Sequence, residues 1–262
     1  MIDQSMSRHL PFEGIENFRD FGDYVAGTRR LRRGLLYRSA HHAEATEADL
    51  AKLAGMGVAV IVDLRRSNER QSQPSRRWRP FSAEVIENDI GQEHADEWHE
   101  FIAGSDLTAE SFRRYMLDYY DGAPHARRHV DLYSRYFQAL ARTDGAVLVH
   151  CAAGKDRTGI LCALTHHVAG VHPDDIIEDY LLTNDEARIA RRLPTIRRRI
   201  AEASGREPSE EALRVAMRVE AEYLERAFAA MRARHGSIDG YLDQALGLTP
   251  QLRERIHDRL LG

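Results

Sequence analysis

Two short runs of apolar residues predict strands that are buried on both faces of a sheet. Residues 58–64 and Ala146–His150 are nearly continuous in Val, Ile, Leu and Ala, as expected for strands covered by helices on either side. Thr46 and Asp49 form a capping-box pattern that starts a helix before the first of them. With a further strand predicted at 31–38, this strand–helix–strand order indicates a parallel sheet.

The later part of the chain carries the apolar spacing of helices. Helices are predicted at 108–120, 124–142, 157–168 and 174–185. A weaker strand is predicted at 83–90. Two long, charged amphipathic helices follow at about 186–203 and 209–235, then a short helical tail, and Pro194 is expected to interrupt the first of them.

These patterns predict one α/β domain over 1–262, with a central, mostly parallel sheet flanked by helices. The α/β core is expected at about 12–185. The remaining stretch, about 186–262, is expected to form a helical C-terminal elaboration, because every predicted strand lies in the first 150 residues.

Composition excludes several classes of protein. The 262 residues include 37 Lys and Arg against 41 Asp and Glu, a formal charge of −4, which disfavours a nucleic-acid binder held by bulk charge. No apolar run approaches the roughly 18 residues of a membrane span. The N-terminus lacks the apolar stretch of a secretory signal. We therefore expect a cytoplasmic protein without integral membrane association, with secretion by a signal-less route left open.

The two cysteines, Cys151 and Cys162, are too few for a disulfide framework or a four-cysteine metal site. The histidine pairs 41–42 and 166–167 lack convincing metal spacing. No metal or other cofactor is expected, and any cysteine function is thiol chemistry.

The segment 150–159, HCAAGKDRTG, carries the chemistry. Cys151 directly follows a buried strand, and a helix begins near Arg157. A turn of this kind directs backbone N–H groups into one concavity, and the helix N-terminus adds its own N–H groups and positive dipole end. The loop amides of Ala152, Ala153 and Gly154 are therefore expected to bind a phosphate dianion.

Side chains of the same segment complete the prediction. Arg157 offers a planar fork for two phosphate oxygens. The positive field favours the thiolate form of Cys151, and Thr158 could hydrogen-bond the sulfur. The sequence thus predicts covalent phosphoryl transfer: Cys151 attacks phosphorus, and a carboxylic acid protonates the departing alcohol or phenol.

Other interpretations of this segment are weaker. Gly154-Lys155 is similar to the end of a nucleotide-binding P-loop, but Asp156 replaces the Ser or Thr that such a loop needs. The chain has no G-x-S-x-G elbow for acyl transfer. A merely structural buried cysteine would leave Arg157, Gly154 and the helix start unexplained.

The segment resembles the H-C-x5-R-[ST] signature of cysteine-dependent protein tyrosine phosphatases. Its form is most similar to the bacterial tyrosine and dual-specificity phosphatases with phosphoinositide activity, the mycobacterial tyrosine phosphatase B-like group. Further segments resemble that group, over about 12–262: 17–20 (NFRD), 36–39 (LYRS), 62–65 (VDLR) with Glu69 nearby, and 179–184 (DYLLTN). The first departs from the usual N-F-R-D-L-G-G at Phe21 and Asp23.

The resemblance implies the protein tyrosine phosphatase fold and no metal cofactor. It implies Cys151 as the nucleophile and Arg157 as the phosphate binder, and it suggests that Lys155 and Asp156 contact substrate. The acid stays open between Asp63, Asp156 and Asp121. Asp63 ends a buried strand, where a helix cap is the other interpretation.

Six arginines fall within 186–203, and the plain interpretation is a solvated helical face. A more specific interpretation is that this helix forms a mobile lid, or a basic surface that steers phosphorylated ligands.

The sequence favours a phosphomonoester hydrolase acting on phosphotyrosine, with phosphoserine and phosphothreonine as further substrates. Phosphate and other oxyanions are expected ligands. The alternatives are a phosphoinositide phosphatase using the same site, which the charge of Lys155 would suit, and a non-catalytic phosphate-binding module. A sulfurtransferase is a distant third.

Overall fold

The computed structural model describes residues 8–91 and 97–262. Its main sheet has five strands in the order β1-β4-β7-β5-β6, and a separate hairpin pairs β2 with β3. The strands are β1 (Arg19–Asp20), β2 (Val25–Ala26), β3 (Arg29–Arg30), β4 (Leu36–Ser39), β5 (Val58–Asp63), β6 (Glu84–Ile86) and β7 (Ala146–His150).

The helices are α1 (Glu47–Ala54), α2 (Ser67–Ser72), α3 (Glu97–Gly104), α4 (Ala109–Gly122), α5 (Arg127–Leu140), α6 (Asp156–Ala169), α7 (Pro173–Leu181), α8 (Glu186–Ser204), α9 (Glu210–Met217), α10 (Ala221–His235), α11 (Ile238–Gln244) and α12 (Pro250–Leu260). A short 3-10 turn at Ala123–His125 joins α4 to α5.

The expected fold class is confirmed. Within the main sheet, β4, β7, β5 and β6 run parallel and β1 is antiparallel to β4. The apolar residues of β7 alternate between the two sides of the sheet: Val147 and Val149 face the large core beside α4, α5 and α6, whereas Leu148 faces a smaller core beside α1. This two-sided burial explains the continuous apolar run in the sequence.

The capping box at Thr46 and Asp49 is confirmed, because each residue's side chain bonds the other's backbone N–H. The strand expected at 31–38 forms only in its second half, as β4. The weaker strand expected at 83–90 shortens to β6. The sequence analysis did not predict β1, the β2–β3 hairpin, α2 or α3.

The expected interruption at Pro194 is wrong, because α8 continues through it. Proline removes one backbone donor from a helix. Here Leu193, Ile196 and Ile200 pack against α3 and α9 in a third apolar cluster, which holds the helix together across that gap.

The single helix expected at 209–235 is also wrong, because Arg218 is extended and separates α9 from α10. The side chain of Asn184 pairs with both backbone groups of Val219, accepting its N–H at 2.9 Å and donating to its carbonyl at 2.8 Å. Asn184 lies just after the C-terminal end of α7 and 35 residues before Val219. A local sequence pattern therefore could not reveal this pairing.

Candidate active site

The sheet places the sequence motif at one edge. Strands β5 and β7 are parallel neighbours, with Asp63 paired in register with His150. Cys151 therefore begins a loop at the carboxyl edge of the sheet, where ligands bind in open α/β folds. Its side chain lies on the α6 side of the sheet and is 2% exposed.

Gly154 lets the loop pass close to β4. Its φ is +63°, and a Cβ there would lie 2.3 Å from the carbonyl oxygen of Ser39. Any side chain at this position would need both a rare backbone conformation and displaced backbone atoms. The glycine in the motif is thus explained by packing of the loop against the end of β4.

The carbonyl groups of the loop are held by groups outside it. The backbone N–H of His41 donates to Ala152 O at 3.1 Å. The side-chain amide of Asn17 donates to the carbonyls of residues 153 and 154, at 3.3 and 2.8 Å, and Arg38 donates to the latter at 3.1 Å. Because the carbonyls are bound on the outside, the loop can turn its N–H groups inward.

A buried ion-pair network supports those donors. Asp179 of α7 accepts from Arg19 at 3.3 Å and from Arg38 at 2.8 Å, with all three side chains almost fully buried. Burial alone would raise the pKa of Asp179, but the two guanidinium groups lower it well below its usual range. Arg19 also donates to Asn17 at 2.6 Å. Three segments quoted for the resemblance, 17–20, 36–39 and 179–184, are thus one structural unit beneath the loop.

Arg157 forms a bidentate ion pair with Glu69 of α2. Its two terminal nitrogens donate to the two carboxylate oxygens at 2.5 and 2.8 Å, and one of them also lies 3.2 Å from Leu64 O. Burial would raise the pKa of Glu69, but Arg157 outweighs it and lowers the pKa to about 2. In the sequence, Glu69 is notable only for its proximity to the D-L-R segment; in the structure, its carboxylate contacts Arg157 directly.

Asp156 begins α6 and lies beside the loop. Its Oδ1 accepts a hydrogen bond from the Tyr120 hydroxyl at 2.8 Å and lies 3.4 Å from the ammonium nitrogen of Lys155. Its side chain is partly exposed to the cavity described below. Among the three carboxylates considered as acids, Asp156 is the one that lines this cavity.

Lys155 lines the cavity described below and bonds the helical elaboration. Besides facing Asp156, its ammonium group donates to Ala216 O at 2.8 Å and Arg218 O at 3.2 Å, at the break between α9 and α10. An ammonium group has three donors, so all three have a partner in this structure. Direct contact of Lys155 with substrate, as the resemblance suggested, would require these bonds to be exchanged.

Asp63 is buried in an ion pair with Arg65. Its carboxylate accepts from the Arg65 side chain at 2.7 and 2.9 Å and from the Arg65 backbone N–H at 3.1 Å. Burial would raise its pKa, but His150 and Arg65 lower it far below the usual range. A carboxylate held ionised in this way has no proton to give at neutral pH.

His150 packs on the opposite side of the sheet from Cys151. Its ring stacks on His42 at 4.5 Å, and burial lowers its pKa to about 4, so it is neutral at physiological pH. This geometry agrees with a role in shaping the loop rather than in proton transfer.

Three further residues, Asp121, Thr158 and Cys162, take no part in the contacts described above. Asp121 is exposed near the end of α4 and lies 3.9 Å from Arg226. Thr158 Oγ1 is buried without a hydrogen-bond partner among the described residues, so its expected bond to the Cys151 sulfur is not formed. Cys162 is buried in the main core, and burial raises its pKa to about 12.

A cavity of about 750 Å³ lies over the loop. Ala152, Asp156, Arg157 and Glu69 line its inner end. Aromatic and aliphatic side chains of α3, α4 and α8 line the rest, among them Trp98, Tyr115, Tyr119, Ile196 and Ile200. We call α3 and α8 the helical cover.

The six arginines of α8 have different surroundings. Arg188 is buried, whereas Arg192, Arg197 and Arg198 lie within ion-pair distance of Glu16, Glu207 and Glu202. Arg199 is exposed, lines the cavity and has no carboxylate within ion-pair distance in the described part of the chain.

Sequence reasoning missed Tyr120, Tyr119 and Arg128. Arg128 donates to the carbonyls of Leu64 and Arg65 at 3.1 and 2.9 Å, beside Arg157. These residues come from the amphipathic helices α4 and α5, where the pattern predicts burial but not partners. The signal that could have drawn attention to them is a polar side chain on an otherwise apolar helix face.

The described residues contain no helix long and apolar enough to cross a membrane. Within the same ranges, no cluster of three or more His, Cys, Asp or Glu side chains could hold a metal ion.

Comparison with known proteins gives consistent matches. The model of the tyrosine phosphatase family matches residues 10–262. A protein of Cupriavidus necator named as a tyrosine-protein phosphatase is 32% identical over 244 residues, which cover 91% of this chain and 85% of that protein. The triple specificity protein phosphatase PtpB of Mycobacterium tuberculosis is 30% identical over 286 residues, covering 97% and 99% of the two chains.

Among solved structures, the crystal structure of P. aeruginosa TpbA aligns with 74% of this chain and 96% of its own, at 20% identity and a TM-score of 0.32. A TM-score this low does not support a statement about the fold.

Proposed function

The chain belongs to the tyrosine phosphatase family and is a protein-tyrosine phosphatase, and from this premise we propose that it works through a phosphocysteine at Cys151. The observation that carries the proposal is the placement of Arg157 and Asp156 in one cavity beside the loop that Cys151 begins. A nucleophile, an anion-binding fork and a proton donor are the three groups that this reaction needs.

In the first step the sulfur of Cys151 attacks phosphorus, and a sulfur–phosphorus bond forms as the phosphorus–oxygen bond to the leaving group breaks. The leaving oxygen takes a proton from Asp156. Arg157 and the inward N–H groups of residues 152–154 bind the three transferring oxygens. Arg157 keeps its ion pair with Glu69 or exchanges it for phosphate, since a guanidinium group has five donors.

In the second step water attacks phosphorus and gives a proton to Asp156, now a carboxylate. The sulfur–phosphorus bond breaks, and phosphate and the free cysteine are restored. Free phosphate and similar oxyanions should therefore bind the loop as products or competitive inhibitors.

We propose Asp156 as the acid, and not Asp63 or Asp121. Asp63 is buried, ionised and bound to Arg65. We assign it to holding the ends of β5 and β7 together. Asp121 is exposed and does not line the cavity.

Phosphotyrosine is the proposed substrate, with phosphoserine, phosphothreonine and phosphoinositides as further candidates. The cavity of about 750 Å³ combines aromatic and aliphatic side chains of the cover with charged groups that include the Arg157–Glu69 pair, which suits a phosphorylated aromatic side chain. The relative from Mycobacterium tuberculosis is named for triple specificity, which favours testing all three classes.

A non-catalytic module is disfavoured because Cys151, Arg157 and Asp156 are all present. We expect no nucleic-acid partner and a cytoplasmic site of action.

We further propose that the chain is one catalytic unit over 1–262, of which residues 1–7 and 92–96 lie outside the described ranges. Residues of α10, α11 and α12 contribute to the same core as β5 and β7. This supports a C-terminal elaboration, about 186–262, that is part of the catalytic domain. Residues of α8 line the cavity over the loop, and α8 is proposed as a lid that opens to admit a phosphoprotein.

Turnover of 4-nitrophenyl phosphate tests the proposal, with Cys151→Ser as the variant and Cys162→Ser as its matched control. The account expects C151S to abolish hydrolysis while phosphate still binds, and C162S to retain activity. Activity in C151S would contradict it. A panel of phosphopeptides and phosphoinositides then ranks the substrate classes by kcat/KM.

A further inference from the structure

The two oxygens of the Asp156 carboxylate have different surroundings. Oδ1 accepts from the Tyr120 hydroxyl at 2.8 Å and faces the ammonium group of Lys155 at 3.4 Å. Oδ2 makes no hydrogen bond to any residue within 8–91 or 97–262. One oxygen is therefore anchored to the protein, and the side chain that carries the other oxygen lines the cavity.

The Tyr120 hydroxyl has a second partner. It lies 2.6 Å from the hydroxyl of Tyr180, which belongs to α7. Each phenol has one proton, and an ionised carboxylate can only accept. When Asp156 is ionised, the chain therefore has one direction: Tyr180 donates to Tyr120, and Tyr120 donates to Asp156.

The position of this hydroxyl chain is fixed by packing. Tyr120 and Tyr180 are almost fully buried. The ring of Tyr180 lies against α6 at Gly159, where an added Cβ would come within 2.7 Å of it. Tyr180 also follows Asp179, whose carboxylate is bound by Arg19 and Arg38. The hydroxyl chain is thus built on the same unit that supports the phosphate-binding loop.

Burial keeps both phenols protonated, since it raises the pKa of Tyr120 and of Tyr180 well above the usual value. The charged and titratable groups that interact electrostatically with Asp156 include Lys155, Tyr119, Tyr120, Tyr180 and Tyr223. Of these, the Tyr120 hydroxyl alone donates directly to Asp156 within 3 Å.

We propose that Tyr120 is a positioning residue for the general acid: its hydroxyl, supported by Tyr180, holds Oδ1 of Asp156 and leaves Oδ2 to carry the proton to the leaving group. The inference rests on the proposed role of Asp156. A hydrogen bond donated to a carboxylate favours the ionised form. The hydrogen bond from Tyr120 therefore stabilises the carboxylate form of Asp156 that accepts a proton in the second step.

The test is the pH dependence of kcat/KM for phenyl phosphate, whose poor leaving group needs the acid. Tyr120→Phe removes the hydroxyl and keeps the ring. The basic limb of the profile should move to higher pH by about one unit, because a hydrogen bond to a charged group is lost. A rate that falls equally at every pH, with the limb unmoved, is what a structural role alone would give and would overturn the inference.

Two further variants complete the test. Tyr136→Phe is the matched control, since it removes a buried hydroxyl that bonds Thr165 at 2.8 Å elsewhere in the core; its limb should stay in place. Tyr180→Phe should move the limb in the same direction as Y120F by a smaller amount. It also provides a second reading should Y120F fold poorly. The inference would be overturned if the basic limb of Y180F stayed in place and Y120F either kept its limb in place or failed to fold.

Asp156→Asn separates this inference from the proposed function. If D156N loses the basic limb while Y120F leaves it in place, Asp156 is the acid and the role given to Tyr120 is wrong. If D156N keeps the limb, the acid assignment itself fails, and the inference fails with it.

Discussion

At the scale of single residues, Arg157, the proposed phosphate binder, already has a partner within the protein. Glu69 accepts from both terminal nitrogens of Arg157. The pair fixes the guanidinium plane at the edge of the cavity, and this reduces the conformational entropy that phosphate binding would otherwise cost.

The Glu69–Arg157 pair predicts a pH-dependent contribution to stability. The pKa of Glu69 is about 2 in the folded protein against an ordinary value of 4.5. The ionised pair therefore stabilises the fold above about pH 4.5, and this contribution is lost as the pH falls toward 2. Glu69→Gln should lower the free energy of unfolding by about 3 kcal/mol at pH 7, and the difference from wild type should shrink below pH 4.5.

Urea unfolding of both proteins between pH 3 and 8 measures this difference. Glu202→Gln, on the exposed face of α8, is the control and should cost less than about 1 kcal/mol at any pH. A Glu69→Gln deficit that stays constant over this range would show that Arg157 does not hold the carboxylate ionised.

The residues of the loop were predictable because they are contiguous. Cys151, Arg157 and Asp156 fall within seven positions, so one motif places them together. The orientation of Lys155 was not predictable, since its partners belong to a helix break some 60 residues away. Tyr120 of α4, which bonds Asp156, and Tyr180 of α7, which bonds Tyr120, were hidden for the same reason.

At the scale of elements, Lys155 joins the loop to the break between α9 and α10. The carbonyls of Ala216 and Arg218 are at the end of α9, where helix carbonyls lack partners within the helix. The ammonium group of Lys155 satisfies both. The contact ties the helical elaboration to the loop that follows Cys151.

Replacement of this lysine should therefore reduce stability. Lys155→Met leaves two carbonyls unpaired and should lower the free energy of unfolding by about 2 kcal/mol. Lys52→Met is the matched control, because Lys52 donates to Pro11 O on the exposed surface, and it should cost less than about 1 kcal/mol. Unchanged stability of K155M with a raised KM would instead mean that Lys155 contacts substrate.

The buried strands were predictable from their apolar runs, and their neighbours at the sheet edge were not. Strand β1 has two residues, and the break at Arg218 depends on Asn184. Such features arise from pairing between distant segments, which a local pattern does not encode. Pro194 shows the converse, because tertiary packing of α8 overrides a local signal.

At the scale of the whole molecule, the formal charge of −4 conceals a local basic position at the cavity mouth. Most arginines of α8 are buried or near carboxylates, so they add little field outside the protein. Arg199 lines the cavity without such a neighbour in the described ranges. Any steering of anionic substrates by α8 should therefore depend mainly on Arg199.

Charge neutralisation tests this expectation. Arg199→Gln should raise KM for a phosphotyrosine peptide about two- to threefold at low ionic strength, and less as salt increases, because salt screens exposed charges. Arg198→Gln, one position earlier and 3.9 Å from Glu202, should change KM little. Equal effects of the two substitutions would mean that net charge matters and the position does not.

The alkylation of Cys151 measures the central claim most directly, because it reports the state of the sulfur and the occupancy of the loop together. Iodoacetamide is added at pH 6.5 with and without phosphate or vanadate, and peptide mass spectrometry follows both cysteines. Cys162 is the internal control, since burial raises its pKa to about 12. The account predicts that Cys151 is alkylated in parallel with loss of activity, that either oxyanion slows its alkylation, and that Cys162 stays unmodified. Alkylation of Cys151 no faster than that of an ordinary thiol, with no protection by oxyanions, would contradict it.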